Sequence, residues 1–197
     1  MDNEGFKGFI EMYKINKEIV EACQQGNIVA FKELYEAYHR HIYHLAYGFV
    51  KNTANAEDLT QDIFLKVFEK IDSFRSAASF STWLYRVAVN ECLQYTRQKP
   101  VSLIPLEEIE TSLTAENARP SDTVENGELR KHLEDAISSL PECQKLVFTL
   151  TAVEGMRYGD VAQILDVTTD AVRMMAYRAR LSLRRHLMQK GVDLNEL

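Results

Sequence analysis

The stretch Tyr158–Leu187, "YGDVAQILDVTTDAVRMMAYRARLSLRRHL", divides into a short helix, a tight turn and a longer helix. Val161, Ala162, Ile164 and Leu165 recur at helical spacing, and "DVTTD" then breaks the pattern. Thr168 is placed to cap the second helix, whose inner stripe is Val172, Ala176, Ala179 and Leu183. Ala162 is small where two crossing helices need a close approach, and Ile164, Leu165, Val167 and Val172 can bind the pair together. This is the helix-turn-helix pattern, whose second helix can enter a major groove. Thr169, Asp170, Arg173, Met174, Tyr177 and Arg178 point away from the inner stripe. Arg173 can reach a base edge or a phosphate, whereas Arg178, Arg180, Arg184 and Arg185 suit backbone phosphate. A plain helical hairpin with a solvated basic face would share the apolar pattern; the concentration of arginine favours DNA.

The 197 residues suffice for one or two domains with cores of their own. The net charge of −6 argues against a nucleic-acid binder until its distribution is considered. Between Leu106 and Glu128 the acids Glu107, Glu108, Glu110, Glu116, Asp122, Glu125 and Glu128 face Arg119 alone. Between Arg173 and Lys190 six basic residues occur with no acid. Charges that cancel in the sum do not cancel locally, because salt screens over about 8 Å. No apolar run reaches membrane-span length, and the acidic start "MDNEGFKGFIEMYK" does not resemble a secretory signal, so a cytoplasmic protein without membrane insertion is expected. Cys23, Cys92 and Cys143 are odd in number and far apart, which predicts reduced, mostly buried thiols rather than disulfides or a zinc site.

The pattern is helical nearly throughout, with no competing strand signal. A short helix is expected from about Lys14 to Gln24, stopped by Gly26. Asn27 can cap a helix carrying Phe31, Leu34, Tyr35, Tyr38, Ile42, Leu45 and Phe49. After "KNTANAED", a helix with Ala56, Leu59, Ile63, Val67 and Ile71 on one stripe follows. "DSFRSAAS" is a polar turn, and another helix runs from near Ser81 toward Arg97. The periodicity fails from Pro100 to Gly127, a stretch with three of the four prolines. Helix resumes from Glu128 to Ser139. Pro141 then opens a helix with Leu146, Val147, Leu150 and Val153 that stops at Gly155. The expected fold is therefore all-α: a helical domain over residues 1–99, a flexible acidic linker over 100–127, and a helix-turn-helix domain over 128–197.

Two N-terminal segments carry chemistry. In "AEDLTQDIFLKVFEKIDSFR", carboxylates Glu57, Asp58 and Asp62 lie toward the positive end of a helix. Asp58, Gln61 and Asp62, with Leu59 nearby, form a compact polar patch suited to a partner's arginines. In "FRSAASFSTWLYRVAVNECLQYTRQK", Phe80, Trp83, Arg86, Asn90 and Arg97 recur at helical spacing after Phe74 and Arg75. Aromatics beside arginines give a stacking platform and a phosphate funnel together, which is what unpaired bases require. Asn90 adds a donor and an acceptor for a base edge. The plainer alternative makes Trp83, Leu84 and Val87 core, and Arg75 and Arg86 exposed charges.

The segments "AEDLTQDIFLKVFEKIDSF", "FSTWLYRVAVN" and "SSLPECQKLVFTLTAVEGMRYGDVAQILDVTTDAVRMMAYRARLSLRR" together resemble the two domains of extracytoplasmic-function sigma factors, in that family's order and over almost the whole chain. The resemblance implies that Asp58, Leu59, Gln61, Asp62 and Phe64 dock on the clamp helices of the largest RNA polymerase subunit. It implies that Phe74, Arg75, Phe80, Trp83, Arg86, Asn90 and Arg97 open the minus-ten element of promoter DNA and capture its non-template strand. Thr168, Thr169, Asp170, Arg173, Met174, Tyr177, Arg178, Arg180 and Arg184 would read the minus-thirty-five element. The linker would thread through the polymerase with its charge mimicking nucleic acid, and an anti-sigma factor is implied as a further partner. The chain departs from many relatives at Ala171, Met174 and Met175, where polar or basic residues are usual, so apolar contact with thymine methyls or shape readout must do more. "NECLQYTRQK" lacks the acid that often follows the asparagine.

No cofactor or catalytic residue is expected. His39, His41 and His44 of "HRHIYH" lie close, and His41 and His44 share a helix face, but no third ligand for that pair, nucleophile pair or phosphate loop is evident. The nearer alternative is a helix-turn-helix regulator acting on duplex DNA without polymerase, which leaves the Phe74–Arg97 constellation unexplained.

Overall fold

The computed structural model describes residues 15–75, 79–98 and 124–192, which fall into two compact units. Eight helices occur among the described residues, without a strand. The N-terminal unit holds α1 (Lys17–Gln24), α2 (Ile28–Val50), α3 (Thr53–Lys70), a 3-10 turn (Ile71–Ser73) and α4 (Phe80–Gln98). Each helix start has a local chemical cause. The Asn16 side chain accepts from the Glu18 N–H, Asn27 from Val29 and Ala30, and Asn52 from Asn55. Ser79 Oγ accepts from the Thr82 N–H, so α4 begins at Phe80, one residue before the expected Ser81. Each such cap contributes about 1 kcal/mol.

Gly26 ends the first helical segment at φ +78°, a conformation that costs glycine little. The break at "KNTANAED" is shorter than its composition suggests: Lys51 turns the chain in a left-handed conformation, Asn52 caps, and α3 begins at Thr53. α2 packs on α1, α3 and α4, and α3 also packs on α4. Leu34, Ile42, Ala56, Ile63, Val67, Leu84 and Cys92 are fully buried between them. The buried Thr60 hydroxyl donates to the Ala56 carbonyl at 2.6 Å, which satisfies it within its own helix.

The C-terminal half of the described chain forms α5 (Val124–Ser138), α6 (Glu142–Phe148), α7 (Tyr158–Leu165) and α8 (Thr169–Gln189). α5 starts four residues before the expected Glu128, so helix enters the end of the segment taken as linker. The rest of that segment, with its acidic excess, lies outside the described residues, as do the N-terminal stretch and the far C-terminus. α6 widens into a π-helical turn over Thr149–Val153 and ends at Gly155, φ +61°. α8 packs on α5 and α6, and Ala136, Leu140, Ala179, Leu183 and Leu187 form a core flanked by Ile137, Phe148 and Val192. Val153 was expected on the inner stripe but is exposed, because the wider turn rotates it out of register with Leu146 and Leu150.

No described helix is long and apolar enough to cross a membrane. Cys23 and Cys92 are buried and Cys143 is exposed; all three are free. Burial, reinforced by Glu91, pushes the Cys92 thiol up to about 12.

Candidate functional site

The helix-turn-helix geometry rests on the turn between α7 and α8. Asp166 adopts a left-handed conformation, φ +54°, which a short polar side chain tolerates. The Val167 N–H donates to the Ala162 carbonyl at 3.1 Å, closing the turn. Thr168 caps α8 by accepting from the Ala171 N–H at 3.2 Å, so its hydroxyl is already engaged. Val161, Ala162 and Ile164 are buried on α7 and Val172, Ala176, Ala179 and Leu183 on α8. Val167 does not join them: it is exposed, because the turn carries it past the end of α7.

Thr169, Asp170, Arg173, Met174, Tyr177 and Arg178 are all exposed, along with Arg180, Arg184 and Arg185. Spacings of three and four residues put Asp170, Arg173, Met174 and Tyr177 on one side of the helix. Asp170 and Arg173 are joined by an ion pair at 2.6 Å. Arg180 Nη1 donates to the Tyr158 hydroxyl at 3.1 Å, tying α8 to the start of α7.

In the N-terminal unit, α4 is two-faced. Phe80, Thr82, Leu84, Tyr85, Val87, Ala88, Val89 and Cys92 are buried. Trp83 is half-buried, and Arg86, Asn90 and Arg97 are exposed at spacings that continue its face. Phe74, Phe80 and Trp83 form one aromatic cluster, with ring centroids 5.4 Å (Phe74–Phe80), 5.6 Å (Phe74–Trp83) and 5.6 Å (Phe80–Trp83) apart. Phe80 is its inner member, 9% exposed and 6.1 Å from the Tyr38 ring. It therefore supports the platform from below, and the ring surface open to solvent belongs to Phe74 and Trp83, with Arg75 exposed alongside. Burial pushes the Tyr38 phenol up to about 12, so it stays neutral within this packing.

Along α3, Asp58, Gln61 and Asp62 are exposed, whereas Leu59 and Phe64 are buried and belong to the core. The exposed face continues through residues the sequence reading passed over, Leu65 at 63% and Phe68 at 47% exposure. Phe68 meets Phe31 edge-on at 5.0 Å. The available signal was that both are large apolar residues off the Ile63–Val67 stripe. Gln24 was also missed, and nothing in its sequence context marks it. Its side-chain amide donates to the Ile71 and Phe74 carbonyls, 3.0 Å each, at the base of the segment carrying Phe74 and Arg75. His39 packs on the Tyr35 ring at 4.7 Å, and no group of three potential metal ligands occurs among the described residues.

Two family models match this chain: Sigma-70 region 2 over residues 34–100 and Sigma-70 region 4 over residues 130–183. The chain is 36% identical over 173 residues to the ECF RNA polymerase sigma-E factor of Haemophilus influenzae, covering 84% of this chain and 91% of that one. It is 33% identical to the sigma-E factor of Escherichia coli (82% and 88% covered), and 29% identical to the ECF sigma factor SigW of Bacillus subtilis (87% and 96% covered). Two solved structures share its fold. CnrH in complex with the cytosolic domain of CnrY has a TM-score of 0.65 at 22% identity, covering 87% of this chain and 96% of that one. RpoE in complex with the anti-sigma factor NepR from Bartonella quintana has a TM-score of 0.64 at 22% identity, covering 80% and 96%. The chain belongs to the extracytoplasmic-function sigma factors, the group that couples a region 2 to a region 4 and directs bacterial RNA polymerase to promoters. It is a specificity subunit and not an enzyme. The presence of region 2 removes the alternative of a duplex-binding regulator that works without polymerase.

Proposed function

We infer that the three exposed faces divide the work of promoter recognition among them. The polar patch of Asp58, Gln61 and Asp62 docks on the clamp helices of polymerase core, with Leu65 and Phe68 supplying apolar area beside it. Buried Leu59 and Phe64 hold the helix that presents the patch. The face of Phe74, Arg75, Trp83, Arg86, Asn90 and Arg97 opens the minus-ten element and captures its non-template strand, with Phe80 packed beneath the platform. The exposed face of α8 reads the minus-thirty-five element through Arg173, Met174 and Tyr177, while Arg178, Arg180 and Arg184 hold backbone phosphate.

The observation that carries this reading is the two-faced α4. A helix needed only for the core would not align an open tryptophan edge, two arginines and an asparagine on its solvent side. Stacking surface, cation and amide together meet the three needs of an unpaired strand: base, phosphate and base edge. As with RpoE from Bartonella quintana, solved in complex with the anti-sigma factor NepR, this chain takes such a protein as a partner. The 100–123 segment acts as the linker between its promoter-reading domains, over residues 1–99 and 124–197, and the protein works in the cytoplasm with polymerase.

Run-off transcription with bacterial core polymerase tests the assignment. The protein should direct transcripts from duplex promoters, and on a template whose minus-ten region is pre-melted by mismatches the effect of Asn90→Ala should shrink. Equal loss on both templates would assign Asn90 to a step other than strand separation.

A further inference from the structure

We propose that Asp170 is a positioning residue for Arg173, holding its guanidinium fork to read a guanine in the upstream promoter element. The inference rests on the recognition-helix reading of α8. Arg173 Nη1 lies 2.6 Å from Asp170 Oδ1, three residues earlier on the same helix. Both side chains are open to water, 62% and 85% exposed, so the pair adds little to folding. Its effect is on conformation. An unpaired arginine at a helix surface samples many rotamers; the pair biases Arg173 toward those that keep Nη1 beside Asp170.

The atoms engaged define what remains. Pairing at Nη1 occupies the end of the fork and leaves the Nε–Nη2 edge for two parallel hydrogen bonds. That edge matches O6 and N7 of guanine, two acceptors side by side in the major groove. Adenine presents a donor in place of O6 and is rejected. The charges point the same way. A carboxylate beside Arg173 offsets part of the attraction that the guanidinium would have for phosphate. Arg178, Arg180, Arg184 and Arg185 lie in a stretch free of acids and are the phosphate-seeking residues. Asp170 thus makes Arg173 a reader of bases at the expense of general affinity.

Full-length protein assembled with core polymerase is presented with a library of duplex promoters randomised in the upstream element, and bound sequences are counted for the wild type, Arg173→Ala and Asp170→Ala. Retention on a promoter with a scrambled upstream element is measured across a salt series. The wild type should select guanine at one position, and both variants should relax that preference about tenfold, at that position alone. Asp170→Ala should at the same time bind the scrambled promoter more tightly and with a steeper salt dependence, because one more cation becomes available to phosphate. A residue that merely supports the first turn of α8 would produce neither signature. Asp170→Asn replaces the alanine variant should that one melt early. If Arg173→Ala relaxes the guanine preference and Asp170→Ala leaves it intact, or alters a different position, the positioning role is wrong while the recognition helix stands. If Arg173→Ala leaves the selected sequences unchanged, the recognition-helix reading fails and this inference fails with it.

Discussion

The side-chain amide of Gln24 bridges the carbonyls of Ile71 and Phe74, 3.0 Å from each, and so pins the segment that precedes α4 to α1. Replacing it by leucine keeps the volume roughly and removes both bonds; the Ile71 carbonyl still accepts from the Phe74 N–H at 3.0 Å, so the loss falls on the Phe74 carbonyl, at a cost of about 1–3 kcal/mol. Gln24→Leu should lower the denaturant midpoint accordingly and slow promoter opening, with initial binding to duplex promoter unchanged. Unaltered opening kinetics in a folded variant would make the bridge purely structural.

Asp58→Arg combined with Gln61→Ala should abolish binding to polymerase core while leaving helical content intact, since both side chains are exposed. Reversing the charge turns attraction to a partner's arginine into repulsion, a few kcal/mol when desolvated. Fluorescence titration with core measures it, and wild-type affinity would remove the docking assignment. Phe64→Ala is a poor probe of the same surface. Phe64 is buried against Tyr35, ring centroids 4.7 Å apart, and its truncation should cost about 3–5 kcal/mol of stability.

Burial likewise separates probes on α4. Asn90→Ala and Arg97→Ala should fold like the wild type and cut run-off transcripts from duplex promoters. Phe80→Ala should lower thermal stability by about 3–5 kcal/mol before any effect on DNA appears. Circular dichroism melts distinguish the cases: wild-type stability for Phe80→Ala would mean that its ring is not part of the packing.

On α8, Arg184→Ala should weaken holoenzyme binding to all promoters alike and reduce the magnitude of the salt slope by about one counterion. A change in base preference instead would make Arg184 a reader rather than a phosphate anchor.

Thiol chemistry should follow burial. A maleimide at neutral pH should modify Cys143 rapidly and spare Cys23 and Cys92 until the protein unfolds. Burial raises both protected thiols, Cys92 to about 12, so the reactive thiolate is scarce as well as inaccessible. Fast labelling of all three by mass spectrometry would show that the N-terminal core opens readily.

The sequence by itself determined the helical class, the side-chain-capped helix starts and most of the inner stripes, with the early start of α5 and the exposed Val153 as exceptions. Asn27 and Thr168 cap where expected, and Leu34, Ile42, Ile63, Val67, Val172 and Ala179 are buried. These features are local: a cap satisfies N–H groups two or three residues away, and an apolar stripe needs only the helical period. The outward faces of α3, α4 and α8 followed from the same period, which is why Asp58, Arg86, Asn90 and Arg173 lie exposed as anticipated. Tertiary packing decided what periodicity leaves open. Phe80 and Trp83 are both aromatic and three residues apart, yet Tyr38 from α2 covers the first and leaves the second half open. Leu65 and Phe68 read as ordinary apolar residues, and their exposure depends on which helices pack against α3 and which side remains bare. The bridge from Gln24 to Phe74 spans 50 residues of chain, and no local pattern encodes such a contact, because it exists only once α1 and the turn after α3 have met in the folded unit.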